Sequence, residues 1–219
     1  MGIFESAWKS SDVSRAMESV EKTSNEKVLC RICSESPHAQ VRLAAASKLT
    51  SPQWLIKCAS EADDEMLGVL ASRAKDDATL CGILLASSSS GQTAERIYEK
   101  ITDEDLLLKI ALSGRYRIRT ARRLEDPAKL AALAEELIDR GGNTAFTAGS
   151  LAAQKSGQDH LIYKYAMRSS DLSQWNQRKA AFTRLMNTPV YNADLSRHLR
   201  ALEIDAAREN MARAVKENA

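Results

Sequence analysis

Between Val41 and about Ala134 the apolar positions repeat one short pattern four times. The first copy, VRLAAASKLTSPQWLIKCA, carries Leu49, Leu55 and Ala59 as anchors, with Ser51-Pro52 between its two periodic segments. The anchors return 25 residues later as Ala74, Leu80 and Leu84 around Asp76-Asp77, and 27 later again as Ile101, Leu107 and Ala111 around Asp103-Glu104. A last step of 23 gives Leu124, Leu130 and Ala134 around Asp126-Pro127. Punctuation and anchors move together, which marks an array of stacked units.

Each unit reads as two short helices. Ser51, Asp76, Asp103 and Asp126 are N-cap residues for the second helix, and Pro52 and Pro127 take a first helical position where a missing donor costs nothing. The second helices bury stripes such as Trp54, Leu55 and Cys58, or Leu106, Leu107 and Ile110. Neither helix is long enough to be stable alone, so burial against neighbouring units must supply the cooperativity. Ahead of the clear units, Ser10-Ser11-Asp12 can cap a helix starting near Val13. Residues 23–36, with Ser24 or Asn25 as cap and Leu29 and Cys33 at anchor spacing, form the second half of a degenerate unit. Behind them, IDRGGN is a helix stop, and helices are expected over 144–155, around Leu161–Ala166 after an Asp159 cap, over 174–187, and from about Asp194 to Lys216.

The pattern therefore predicts an all-α chain, a single elongated α-solenoid over 1–219. Residues 1–40 are its cap and degenerate repeat, 41–140 four regular repeats, and 141–219 diverged repeats with a terminal helix. Composition agrees: 44% of the residues are hydrophobic but only 5% aromatic, which favours aliphatic and alanine helix packing over a β-sandwich. The start MGIFESAWKSSD lacks a basic stretch followed by an apolar run, and no apolar run is long enough to cross a bilayer. The expectation is a cytoplasmic protein without membrane attachment; Gly2 and Ser6 superficially fit an acylation signal, but an ordinary start is the reading adopted.

Charge adds detail that the apolar pattern lacks. The formal charge is only +2, yet Lys48, Arg73, Lys100 and Arg123 hold the same position in four units, immediately before the anchor. Such a column either complements helix C-termini or forms a basic track for a polyanion or an acidic protein face. Arg115, Arg117, Arg119, Arg122 and Arg123 crowd around Tyr116 in what reads as one first helix, and five guanidinium groups exceed what a helix end needs. Residues 161–202 carry Lys164, Arg168, Arg178, Lys179, Arg184, Arg197 and Arg200 against Asp171 and Asp194, or seven minus two, with Tyr163, Tyr165, Trp175 and Tyr191 interspersed. That mixture suits nucleic-acid stacking, and equally a helix whose aromatics face inward. With Arg96, these groups are the binding candidates.

The four cysteines are Cys30, Cys33, Cys58 and Cys81. A CxxC pair with two later thiols can ligate zinc or an iron–sulfur cluster, but Cys30, Ile56 and Cys81 fall at equivalent repeat positions, as a small buried hydrophobe would. Structural thiols without a metal or other cofactor are the expectation. His38, His160 and His198 are too widely separated to give ligand spacing, and neither GxxxxGK nor GxSxG occurs.

The units LAAASKLTSPQWLIKCASEADD and RIRTARRLEDPAKLAALA resemble HEAT-type repeats of the short bacterial kind and are similar to leucine-rich repeat variant units. Val41-Arg42-Leu43-Ala44, Pro52, Leu55 and Ala59 carry the likeness, which spans about residues 28–135; the next unit keeps the spacing but lacks the proline and starts Met66-Leu67. The resemblance implies a right-handed α-solenoid with a partner-binding surface. Some leucine-rich repeat variant proteins carry a cysteine-bound iron–sulfur cluster ahead of the repeats, whereas here only Cys30 and Cys33 precede the clear units and Cys58 and Cys81 lie inside them. DNA glycosylases with HEAT-like folds use a basic concave face. The function expected is a non-enzymatic protein-interaction or scaffold module, with DNA, RNA or another polyanion, or a cysteine-bound metal, as alternatives.

Overall fold

Capping chemistry and apolar spacing cut the chain into helices of seven to fourteen residues, followed by one longer terminal helix. In the computed structural model the described residues are 7–168, 175–186 and 193–217, and they contain helices and no strand. A short 3-10 turn, Ala7–Lys9, leads into α1 (Val13–Lys22), α2 (Glu26–Glu35), α3 (Ala39–Lys48), α4 (Pro52–Ala59), α5 (Asp64–Arg73), α6 (Asp77–Ala86) and α7 (Gln92–Lys100). Then come α8 (Glu104–Leu112), α9 (Arg117–Arg123), α10 (Pro127–Arg140), α11 (Asn143–Ser156), α12 (Asp159–Arg168), α13 (Trp175–Leu185) and α14 (Ala193–Glu217). The all-helical expectation holds. Ile3, Phe4, Gly2, Ser6, the polar stretch 169–173 and Tyr191 lie outside the described residues, as do the side chains of Trp175 and Arg178.

The chain forms two compact units, Met1–Leu107 and Leu108–Ala219. In the first, α1, α3, α5 and α7 each pack on the next of that set, α2 packs on α4, and α4 on α6. Alternate helices of this unit therefore pack on one another. In the second unit, α9 packs on α11, α10 on α11 and α12, α11 on α12, α12 on α13, and α13 on α14.

The repeat anchors have a common local role. Leu49, Ala74, Ile101 and Leu124 are each the residue just after a first helix, in extended backbone, with the amide donating back into the helix. An abrupt turn to extended geometry ends the helix at the anchor. Leu49, Ile101 and Leu124 are completely buried, and the smaller Ala74 is half-buried. Leu55, Leu80, Leu107 and Leu130, and one turn further on Ala59, Leu84, Ala111 and Ala134, are buried as well.

Caps follow the predicted positions with two differences. Asp76 accepts from Thr79 N at 2.7 Å, Asp103 from Asp105 N and Leu106 N at 2.8 and 3.1 Å, and Asp126 from Ala128 N at 2.8 Å. Ser51 precedes Pro52 as expected but makes no side-chain cap bond. Its unit is held from outside: Glu26 Oε1, in α2, accepts from Thr50 N, Thr50 Oγ1 and Ser51 N at 2.6, 2.7 and 3.0 Å. Asp77 Oδ2, in α6, does the same to Thr102 N, Thr102 Oγ1 and Asp103 N at 2.7, 2.9 and 2.9 Å. One carboxylate thus latches the linker one repeat ahead. The second difference is Asp159, which opens α12 as its first residue instead of standing before it.

After α10, Gly141 and Gly142 take φ of +72° and +83°, a conformation that a side chain disfavours, and the chain reverses into α11. There a Cβ on Gly149 would lie 3.1–3.3 Å from Ile138 and Leu137, so the absent side chain is what lets α11 sit against α10. At the other end, Trp8 is buried beside α1, and Ser36 Oγ donates to its carbonyl at 3.5 Å.

Two outcomes follow. Leu49→Ala should cost about 3 kcal/mol in urea unfolding, the usual range for a completely buried leucine. Burial pushes the Glu26 carboxyl up, but the hydrogen bonds from Ser51 and Thr50 outweigh it and bring the group down to about 2. Its folded value therefore lies below the unfolded one of about 4.3, so the latch contributes fully above that pH and is lost as pH falls toward 2. Glu26→Gln should destabilise by about 1–2 kcal/mol at pH 7, and the gap to the parent chain should close on acidification through that window.

Candidate functional site

Two members of the basic column, Lys48 and Arg73, end in backbone carbonyls. Lys48 Nζ donates to Val20 O and Glu21 O at 2.8 and 2.7 Å, closing the exposed end of α1 from one repeat away. Arg73 Nε donates to Leu49 O at 3.2 Å, at the end of α3. The last turn of a helix leaves four carbonyls without intrahelical partners, and a cation there meets both the orphan acceptors and the negative end of the dipole. Lys48 and Arg73 thus serve the first helix of the preceding unit, not the helix that carries them. Lys100 and Arg96 stand exposed on α7, and Arg123 is half-buried at the end of α9.

The same device recurs at residues that the column did not include. Lys155 Nζ donates to Arg122 O and Leu124 O at 2.9 and 2.5 Å and reaches Glu125 at 2.8 Å. Arg184 Nη1 donates to Gln154 O at 3.0 Å, so α9, α11 and α13 are strapped in sequence. In the alternate helices Arg140 Nη1 donates to Leu112 O at 2.7 Å, and Arg168 Nη2 to Asp139 O at 2.8 Å. Separations of 28 to 33 residues in sequence carry these four contacts. The signal in the sequence was a cation near a helix end about one repeat after the previous helix end.

Acids from other helices neutralise part of the basic segment 161–202. Lys164 pairs with Asp139 at 2.7 Å and with Glu135 at 3.8 Å, and Arg168 pairs with Asp139 too. The hydrogen bond from Lys164, with the charge of Arg168 behind it, holds the Asp139 carboxyl below its ordinary value. Lys179 lies 4.0 Å from Glu203, and Arg184 4.0 Å from Asp159. Tyr165 is buried with its ring 4.5 Å from that of Phe146, so it packs inward.

The arginine cluster differs from its predicted form. Helix α9 begins only at Arg117, leaving Arg115 and Tyr116 in front of it, because Gly114 turns the chain at φ +110° and Tyr116 is left-handed at φ 52°, ψ 23°. A bulky residue rarely occupies that region, and the cost is on the order of 1–3 kcal/mol. The guanidinium carbons of Arg115 and Arg119 lie 5.7 and 6.0 Å from the Tyr116 ring centre, within cation–π range. Arg119 and Arg122 are exposed, whereas Arg117 is half-buried and its Nε is enclosed without a hydrogen-bond partner.

Three of the four cysteines share one pocket. Cys30 and Cys33 from α2 and Cys58 from α4 line a cavity of about 80 Å³ with Ser34, Lys57, Ser60, Glu61 and Met66. Cys58 Sγ donates to Cys30 Sγ at 2.7 Å, and Cys33 Sγ to Arg42 O at 3.7 Å. Cys81 stands apart, with its sulfur 4.0 Å from Leu106 O. Among the described residues no group of three or more histidine, cysteine, aspartate or glutamate side chains has an arrangement suited to a metal ion. His38 Nε2 donates to Ser10 O at 2.9 Å, and His198 leans on Phe182 with ring centres 6.0 Å apart.

No protein-family model, curated protein or solved structure matches this chain. No helix of the described residues is long and apolar enough to cross a membrane.

Replacing Lys48 with methionine keeps the stem and removes the ammonium, so it should cost about 1–2 kcal/mol in chemical denaturation. Lys100→Met, at an exposed position of the same column, should change stability by less than about 0.5 kcal/mol. Equal losses would show that the two cations play the same part.

Proposed function

We propose that this chain is a non-enzymatic protein-interaction module built as an α-solenoid of short HEAT-like repeats. The observation that supports it is where its charged groups are spent. Glu26, Asp77, Lys48, Arg73, Lys155 and Arg184 all tie one helix unit to another, so the machinery of the chain serves rigidity. A rigid row of short helices presents side chains at fixed spacing, which lowers the ordering cost of binding an extended surface. The protein partner is expected to meet the solvent-facing sides of those helices.

A second reading, binding of DNA, RNA or another polyanion, has one observation in its favour. Arg115, Tyr116 and Arg119 form a cation–aromatic cluster at a strained turn, with Arg122 exposed nearby on α9. Strained backbone is most often kept where a site needs it.

Salt separates the two. A single-stranded oligonucleotide held by this cluster should lose affinity by about tenfold or more between 50 and 200 mM salt, and more again in Arg119→Ser/Arg122→Ser. In the protein-partner reading, oligonucleotide anisotropy stays flat at both salts. A protein retained by the immobilised chain then remains bound at 200 mM salt and survives both substitutions. Salt-sensitive oligonucleotide binding lost in the double variant would replace the first reading with the second.

A further inference from the structure

Cys30 and Cys58 belong to helices that pack directly on one another, α2 and α4, and their sulfurs are 2.7 Å apart. A disulfide needs about 2.05 Å, so roughly 0.7 Å of approach separates this contact from a bond. Both residues are nearly enclosed, at 6% and 5% exposure, but they line a cavity of about 80 Å³. A single water needs only about 10–15 Å³ of such space, so a molecule the size of hydrogen peroxide can enter. Cys33, 1% exposed, lines the same space, and Cys81 does not.

We propose that Cys30 and Cys58 are a reversible dithiol–disulfide site, oxidised by a small peroxide and joining α2 to α4. The Cys30 thiolate attacks a peroxide oxygen; an S–O bond forms, the O–O bond breaks, and the departing hydroxide leaves as water after taking a proton. Cys58 then attacks the sulfenic sulfur, the S–S bond forms, and the second oxygen leaves as water. Two electrons pass from the two sulfurs to the peroxide, and two thiols with one peroxide give one disulfide and two waters. Burial pushes Cys30 up to about 12, and the neighbouring Cys33 thiol together with burial raises Cys58 as well, so little thiolate is present and the reaction is slow. The bridge closes a segment of 28 residues between the two sulfurs' positions and restrains the first repeats against opening.

This site is independent of the interaction reading and is tested on the full chain. Prolonged treatment with about 1 mM hydrogen peroxide, followed by alkylation and peptide mass mapping, should show a linked peptide pair carrying Cys30 and Cys58. Free thiols should fall from four to two, and the melting temperature should rise by roughly 5 °C, with dithiothreitol reversing both. Cys81→Ser should retain the link and Cys58→Ser abolish it. Bridging through Cys33 or Cys81, a link between chains, oxidation that stops at sulfinic acid, or four unreacted thiols would each overturn the assignment, and all four can be read on the unsubstituted protein.

Discussion

Helices of about ten residues carry a disproportionate burden of ends. Four carbonyls at each C-terminus and four amides at each N-terminus have no partner within the helix, and here those ends recur every dozen residues. The fold depends on closing them from elsewhere. Lys48, Arg73, Arg140, Lys155, Arg168 and Arg184 reach carbonyls at earlier helix ends, and Glu26 and Asp77 reach amides at later ones. Each such bond satisfies a group that would otherwise rely on water and simultaneously sets the spacing of two units. Apolar burial supplies the driving force, and these polar ties select the register in which it is realised.

Much of the helical layout was legible because two signals coincided. Leu49, Ile101 and Leu124 are large, periodic and followed by capping chemistry, so both their burial and the helix break beside them could be read directly. Boundaries failed where a local rule met a long-range partner. Ser51 has the right identity for a cap but makes no cap bond, and its own amide is held by Glu26, 25 residues earlier, which nothing within its unit reveals. Tyr116 is a similar case: helix propensity runs through RYRIRTARR, and only the turn at Gly114 delays the start to Arg117.

The candidate sites were less legible than the fold, for a reason rooted in what a linear pattern reports. Periodicity placed Lys48 and Arg73 in one column, yet column membership says nothing about whether a flexible four-atom stem or a guanidinium extends to solvent or folds back. The +5 balance of 161–202 omitted its counter-charges, since Asp139, Glu135 and Glu203 fall outside that window and meet it only in space. Likewise the repeat alignment made Cys30 equivalent to Ile56 and Cys81, while the residue that Cys30 touches is Cys58, two positions further along the period.

The carboxylate latches have a bearing on how such a chain can change in length. Glu26 finds its amides one unit ahead and Arg73 its carbonyl one unit behind, so the linker at residues 49–51 is gripped from both directions. Adding or losing a single residue inside a unit would shift both grips at once, whereas duplicating a whole unit would leave each grip with an equivalent partner. Growth by complete copies is therefore the change this architecture tolerates most readily, and the steps of 25, 27 and 23 residues between its anchors are the small slack the linkers allow.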